Sequence, residues 1–227
     1  MMKIPLLRFR LLAVAAGTAA LLGACHSPDM RTAKMAARQG DYETARHHYE
    51  NLAAFGIPEA RLELAMMEMK EQGIAPDSAR GMALLEEAAR DDNPRALFEL
   101  GKAYQEGKKV ERDIPKAREL LQRALTLGYV RSYYQLALIA DSEKNYGAAE
   151  ALYRQSYATG YYKAATRIGA LYKNGRGRPV DLVQALAWHY VAQDRGVTGV
   201  EKQIADFENK LGPDKVAAAR SLSRELR

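Results

Sequence analysis

The residue types that could do chemistry are few and scattered. The chain has four histidines, His26, His47, His48 and His189, and a single cysteine, Cys25. Adjacent residues on a helix point about 100° apart, so His47 and His48 cannot readily share a metal ion. No histidine or carboxylate stands at a spacing that suits zinc. There is no Gly-x-Ser-x-Gly elbow and no phosphate-cradling glycine loop. The carboxylates are interleaved with lysine and arginine, as in Glu111-Arg112-Asp113, the pattern of a solvated helix face. The expectation is therefore no catalytic residue, no metal and no cofactor, hence no enzyme, with His47 and His189 serving the helix surface or packing.

Two groups of residues stand out. Ten of the 13 tyrosines fall between Tyr129 and Tyr190. Of these, Tyr133, Tyr157 and Tyr162 are not required by any helical pattern. Aromatic rings with a polar tip suit either a partner interface or packing between neighbouring units. The second group is basic: Lys108-Lys109 with Arg112, and Lys173 with Arg176 and Arg178. They occupy equivalent loops and should lie along one edge. They are either solvated loops or contacts for anionic head groups or an anionic polysaccharide.

The elements that carry these residues repeat. Gly56, Asp92, Gly128, Gly160 and Gly196 are spaced by 36, 36, 32 and 36 residues. Ala45, Gly81, Ala117, Ala149 and Ala185 keep the same step, as do Ala60, Ala96, Ser132 and Ala164. A period of this size means stacked supersecondary units. In the third unit, Leu97, Leu100, Gly101 and Tyr104 share one face of a first helix. Ala117, Leu120, Leu121, Ala124 and Leu125 share one face of a second. Small residues recur once in each first helix, at Ala65, Gly101, Ala137 and Gly169, and are read as close-packing positions. The turn glycines suit left-handed helix caps. The loop inside the unit is long around Gly73 to Asp77, Gly107 to Asp113 and Gly175 to Asp181. It is short at Gln39 to Tyr42 and Lys144 to Gly147, which accounts for the 32-residue step. The fold expected is an all-α, right-handed α-solenoid of about five helix pairs over residues 30–196. Residues 197–227 are expected to form C-terminal capping helices with a polar outer face.

The N-terminus reads as a signal peptide over residues 1–24, with Lys3, Arg8 and Arg10 before an apolar stretch from Leu11 to Leu22. That stretch is too short to span a bilayer comfortably. It ends Leu22-Gly23-Ala24-Cys25, which resembles the bacterial lipobox and implies acylation at Cys25, a palmitate-type anchor. Residues 25–29 would be the acylated end and a short tether. His26, where an aspartate would retain the protein at the inner membrane, implies outer-membrane sorting by analogy with bacterial lipoproteins. The leader also holds three of the six excess positive charges, so the net +6 gives no case for a nucleic-acid partner.

The fifth unit runs Ala164, Ile168-Gly169, Tyr172, Gly175, Gly177, Asp181, Ala185, Trp188, Ala192, Gly196. It resembles the Sel-like repeat, a branch of the tetratricopeptide superfamily, departing from its pattern at Arg178, Gln184 and His189. The third unit keeps Ala96, Leu100-Gly101, Tyr104, Gly107, Asp113, Lys116-Ala117 and Gly128. The first and fourth units look more like plain tetratricopeptide units. The opening from Ala36 to Gly56 and the end from Leu171 to Leu226 are similar to the lipoproteins of this repeat family that support alginate export. The resemblance implies an outer-membrane scaffold facing the periplasm, with periplasmic or outer-membrane protein partners, serving exopolysaccharide secretion. A second reading is a surface-displayed or secreted repeat protein that binds a host or regulatory protein.

Overall fold

The computed structural model describes residues 29–69 and 78–227. The leader, Cys25, His26 and the loop around Gly73 to Asp77 lie outside the described residues. Among the described residues the chain is twelve helices and no strand. They pair as α1 (Met30–Gln39) with α2 (Tyr42–Ala54), α3 (Pro58–Met69) with α4 (Ser78–Arg90), and α5 (Pro94–Glu106) with α6 (Ile114–Thr126). Next come α7 (Ser132–Ser142) with α8 (Tyr146–Ala158), and α9 (Ala164–Lys173) with α10 (Leu182–Asp194). Two more, α11 (Glu201–Leu211) and α12 (Pro213–Glu225), close the end. Each helix packs on the next in sequence, so the stack is built from local contacts.

The repeated residues explain the boundaries. Asp41, Asp113, Asn145 and Asp181 each precede the second helix of a pair. In each, the side-chain oxygen accepts a backbone N–H two or three residues on. The Asp113 and Asp181 amides in turn donate to the Tyr104 and Tyr172 carbonyls at 3.0 Å, closing the long loops in the same way. Between units, Gly56, Gly128, Gly160 and Gly196 take φ from 78° to 92°, and Asp92 does their work at φ 57°. In the short loop of the fourth unit Lys144 takes φ 63°, where the first unit has Gly40 at φ 82°.

Close approach within the pairs follows the small residues. A methyl on Gly101 would sit 2.9 Å from Leu121 Cγ and 3.1 Å from the Ala117 carbonyl. On Gly169 it would meet the His189 ring at 2.7 Å and the Ala185 carbonyl at 3.0 Å. In the second pair the glycine is on the other helix: Gly81 faces the Ala65 carbonyl at 3.1 Å. In the fourth, Ala137 and Ala149 hold these positions, both fully buried. These backbone approaches are tighter than two ordinary side chains would permit.

The core runs through the stack in three linked clusters. Leu84 joins the first to the second and Leu152 the second to the third. The last pair is the most enclosed. Every residue of α10 from Ala185 to Ala192 is buried, because α12 as well as α9 and α11 packs against it. A helix apolar all round needs such cover. Pro213 opens α12 directly after Gly212.

Candidate functional site

The first helices of the pairs line up as one face of the stack, and polar bridges cross most of its seams. Lys34 of α1 donates to Glu59 of α3 at 2.7 Å. Arg95 of α5 reaches Glu63 of α3 at 2.5 Å. α5 touches α7 directly. Arg167 of α9 donates through Nε to the Tyr134 hydroxyl of α7 at 3.1 Å, and Tyr134 packs on Tyr161 with centroids 4.8 Å apart. Desolvation, with Glu63 and Glu59 nearby, pushes Tyr49 behind this face up to about 12.

The three singled-out tyrosines part company. Tyr157 of α8 and Tyr162 in the following turn meet edge to face at 5.5 Å. Tyr157 also lies edge-on to Trp188, 5.9 Å away. Arg195, at the end of α10, covers Tyr162 at 5.1 Å and donates to the Tyr157 hydroxyl at 3.2 Å. Both rings therefore join the fourth unit to the fifth. Tyr133, half-buried on α7, is outside this cluster.

The basic loops divide in the same way. Arg176 holds both Asp141 oxygens at 2.9 Å, and Arg178 pairs with Glu150 while lying 4.3 Å over the Tyr172 ring. These two cations are spent on the unit before them. Lys108 pairs with Glu106 at 3.2 Å, Lys109 donates to the Met69 carbonyl, and Arg112 donates to the Gln105 carbonyl at 3.3 Å. Lys173 is exposed, with its ammonium 5.7 Å from the Phe207 ring.

Lys173 belongs instead to a site that the sequence pattern did not single out. Between α9 and α11 lies an open cleft of about 320 Å³, with Lys163, Arg167 and Lys173 on the α9 side. Its other side carries Thr198, Val200, Gln203 and Phe207. His189 forms part of the floor. Its Nδ1 donates to the Ala185 carbonyl at 2.7 Å, and its Nε2 lies 3.0 Å from the Gln203 side-chain amide. Burial holds this imidazole below its usual range, the two hydrogen bonds oppose that, and Lys173 adds to it. Lys163 and Arg167 fall one repeat step after Arg131 and Gln135, so their spacing alone does not set them apart. Only the packing of α11 turns them into a wall. His47 is exposed and 3.2 Å from Asn51, and His48 is buried beside it. Among the described residues no group of three or more His, Cys, Asp or Glu could hold a metal ion. No described helix is long and apolar enough to cross a membrane.

Comparison with known proteins places this architecture. Residues 58–93, 94–129 and 163–196 match the Sel1 repeat, on the second, third and fifth pairs. Two curated relatives are both named alginate biosynthesis protein AlgK. The one from Azotobacter vinelandii is 37% identical over 103 residues, and the one from Pseudomonas aeruginosa 37% over 106. Each match takes in 44% of this chain and 22% of the relative, so the matched region is about a fifth of those proteins. A solved Sel1 repeat protein from Oxalobacter formigenes superposes with a TM-score of 0.69 at 20% identity, covering 86% of this chain and 81% of that one. That likeness is one of fold.

Proposed function

We propose, from the premise that this chain is a Sel1-repeat protein resembling AlgK, that it is a non-catalytic scaffold lipoprotein. It would be anchored in the outer membrane through acylated Cys25 and face the periplasm. There it would hold protein partners of an envelope complex on the face formed by its first helices. Repeat stacks of this kind present long surfaces and bind proteins. The observation that carries the reading is the succession of α1, α3, α5, α7 and α9 along one face, joined by side-chain bridges at three seams and by direct contact between α5 and α7. Support for an exopolysaccharide-secretion pathway comes from the AlgK resemblance. Several acyl chains anchor a protein stably where one does so marginally.

The test is capture of the full chain from detergent-solubilised outer membranes, followed by reciprocal capture with the protein that co-purifies. The scaffold reading expects a stoichiometric partner in both directions. Polysaccharide turnover by the purified chain, lost on replacing one of its carboxylates, would sink it.

A further inference from the structure

We propose that the cleft between α9 and α11 binds an acidic segment of a protein partner. The inference rests on the scaffold reading and names the chemistry of one contact on it. The seams between first helices follow a pattern. The α1–α3 and α3–α5 seams are each closed by an ion pair, Lys34 with Glu59 and Arg95 with Glu63. The α7–α9 seam is closed by Arg167 on Tyr134. The α9–α11 seam departs from it. α11 leans on α10 and leaves a cleft beside α9. Lys163, Arg167 and Lys173 line that cleft, and no carboxylate does. None of the three makes an ion pair among the described residues, whereas most arginines along the stack do. α11 has no side-chain cap at its N-terminus, which also faces this seam.

Three cations over a partly apolar floor leave a carboxylate as the missing partner, and one supplied by another chain would complete the ion-pair pattern. A peptide fits the floor better than a uronate chain. Sugars dock on the open face of an aromatic ring. Phe207, the aromatic residue here, is 4% exposed and covered by the His189 ring at 5.1 Å. Val197 and Ala170, both half-buried, leave instead an aliphatic shelf for an apolar side chain next to the acidic ones.

The test uses the full chain in detergent and fluorescence anisotropy of a labelled hexapeptide of glutamate and leucine, with its glutamine counterpart as the neutral probe. The acidic probe is expected to bind, more weakly as salt rises, and the neutral one not. Lys163→Glu with Lys173→Glu should weaken binding at least about tenfold. Arg167→Gln, which keeps a hydrogen-bond donor for Tyr134, should weaken it less. Lys215→Glu on α12 should have no effect. Equal binding of both probes, or equal loss with Lys215→Glu, overturns the proposal. So does displacement of the peptide by a polyuronate at lower carboxylate concentration. Full partner capture by the Lys163→Glu, Lys173→Glu variant overturns this cleft alone. Peptide binding without any partner capture would overturn the scaffold reading instead.

Discussion

Replacing Gly101 by alanine separates close helix packing from helix propensity, because the two push in opposite directions. Alanine in a helix interior is favoured over glycine by about 1 kcal/mol. Against that, the new methyl would lie 2.9 Å from Leu121 Cγ and 3.1 Å from the Ala117 carbonyl. Leu121 is fully buried and a backbone carbonyl cannot rotate away, so α5 and α6 must separate. Overpacking of this kind costs about 1–3 kcal/mol. The net is a loss of about 1 kcal/mol, or a Tm lower by about 2–4 °C for a chain of this size. Gly169→Ala meets both the buried His189 ring and the Ala185 carbonyl, and should lose more, about 2 kcal/mol. Gly81→Ala meets Met69 Cγ, part of a flexible chain, but also the Ala65 carbonyl and the buried Glu68 Cβ, both at 3.1 Å, and should lose about as much as Gly101→Ala. Gly147, in the first turn of α8, has nothing within 4 Å of an added methyl. Gly147→Ala should therefore raise the Tm. Calorimetry of the four variants gives the order. A Gly101→Ala protein as stabilised as Gly147→Ala would refute the packing argument.

Further outcomes follow, the first three from the structure and the last from the proposed acyl anchor. Lys144→Gly should stabilise by up to about 1 kcal/mol, since Lys144 holds a left-handed φ of 63° that glycine adopts freely; an unchanged urea midpoint would contradict this. Asp181→Ala removes the cap on Val183 and Gln184 and should cost about 1 kcal/mol by denaturant titration. Burial lowers the His189 pKa in the folded chain, so the unfolded chain takes up a proton first as pH falls. Stability from this residue is complete above about pH 6.5 and is lost below it; thermal melts between pH 7 and 5 should show a drop that His189→Asn flattens. Cys25→Ser should abolish palmitate incorporation and release the chain from membranes, read by metabolic labelling and fractionation.

The fold was legible because it is local. Turn glycines, the capping aspartates and the small residues at the helix crossings recur with the repeat, and each has a role inside a single pair or at the turn to the next. The four-residue shortening in the fourth unit was readable too, though not that Lys144 would bear its left-handed turn. Side-chain destinations were much less legible. Arg176 and Arg178 look like a basic loop in sequence, yet their guanidinium groups turn back onto Asp141 and Glu150. Tyr157 and Tyr162 look surplus to the pattern until Arg195 and Trp188 close on them. The cleft beside Lys163 and Arg167 depends on where α11 sits, and no spacing within α9 encodes that.

The central claim is that the face made by the first helices holds a protein partner. Photocrosslinking in cells tests it most directly, with the reactive residue placed in turn at Lys102, Gln135 and Lys163 on α5, α7 and the turn before α9. Exposed Gln122 on α6 and Gln155 on α8 report the other side of the stack. Discrete adducts with a common protein from the first three positions, and none from the last two, are the predicted result. Adducts from Gln122 and Gln155 alone, or from no position, would contradict it.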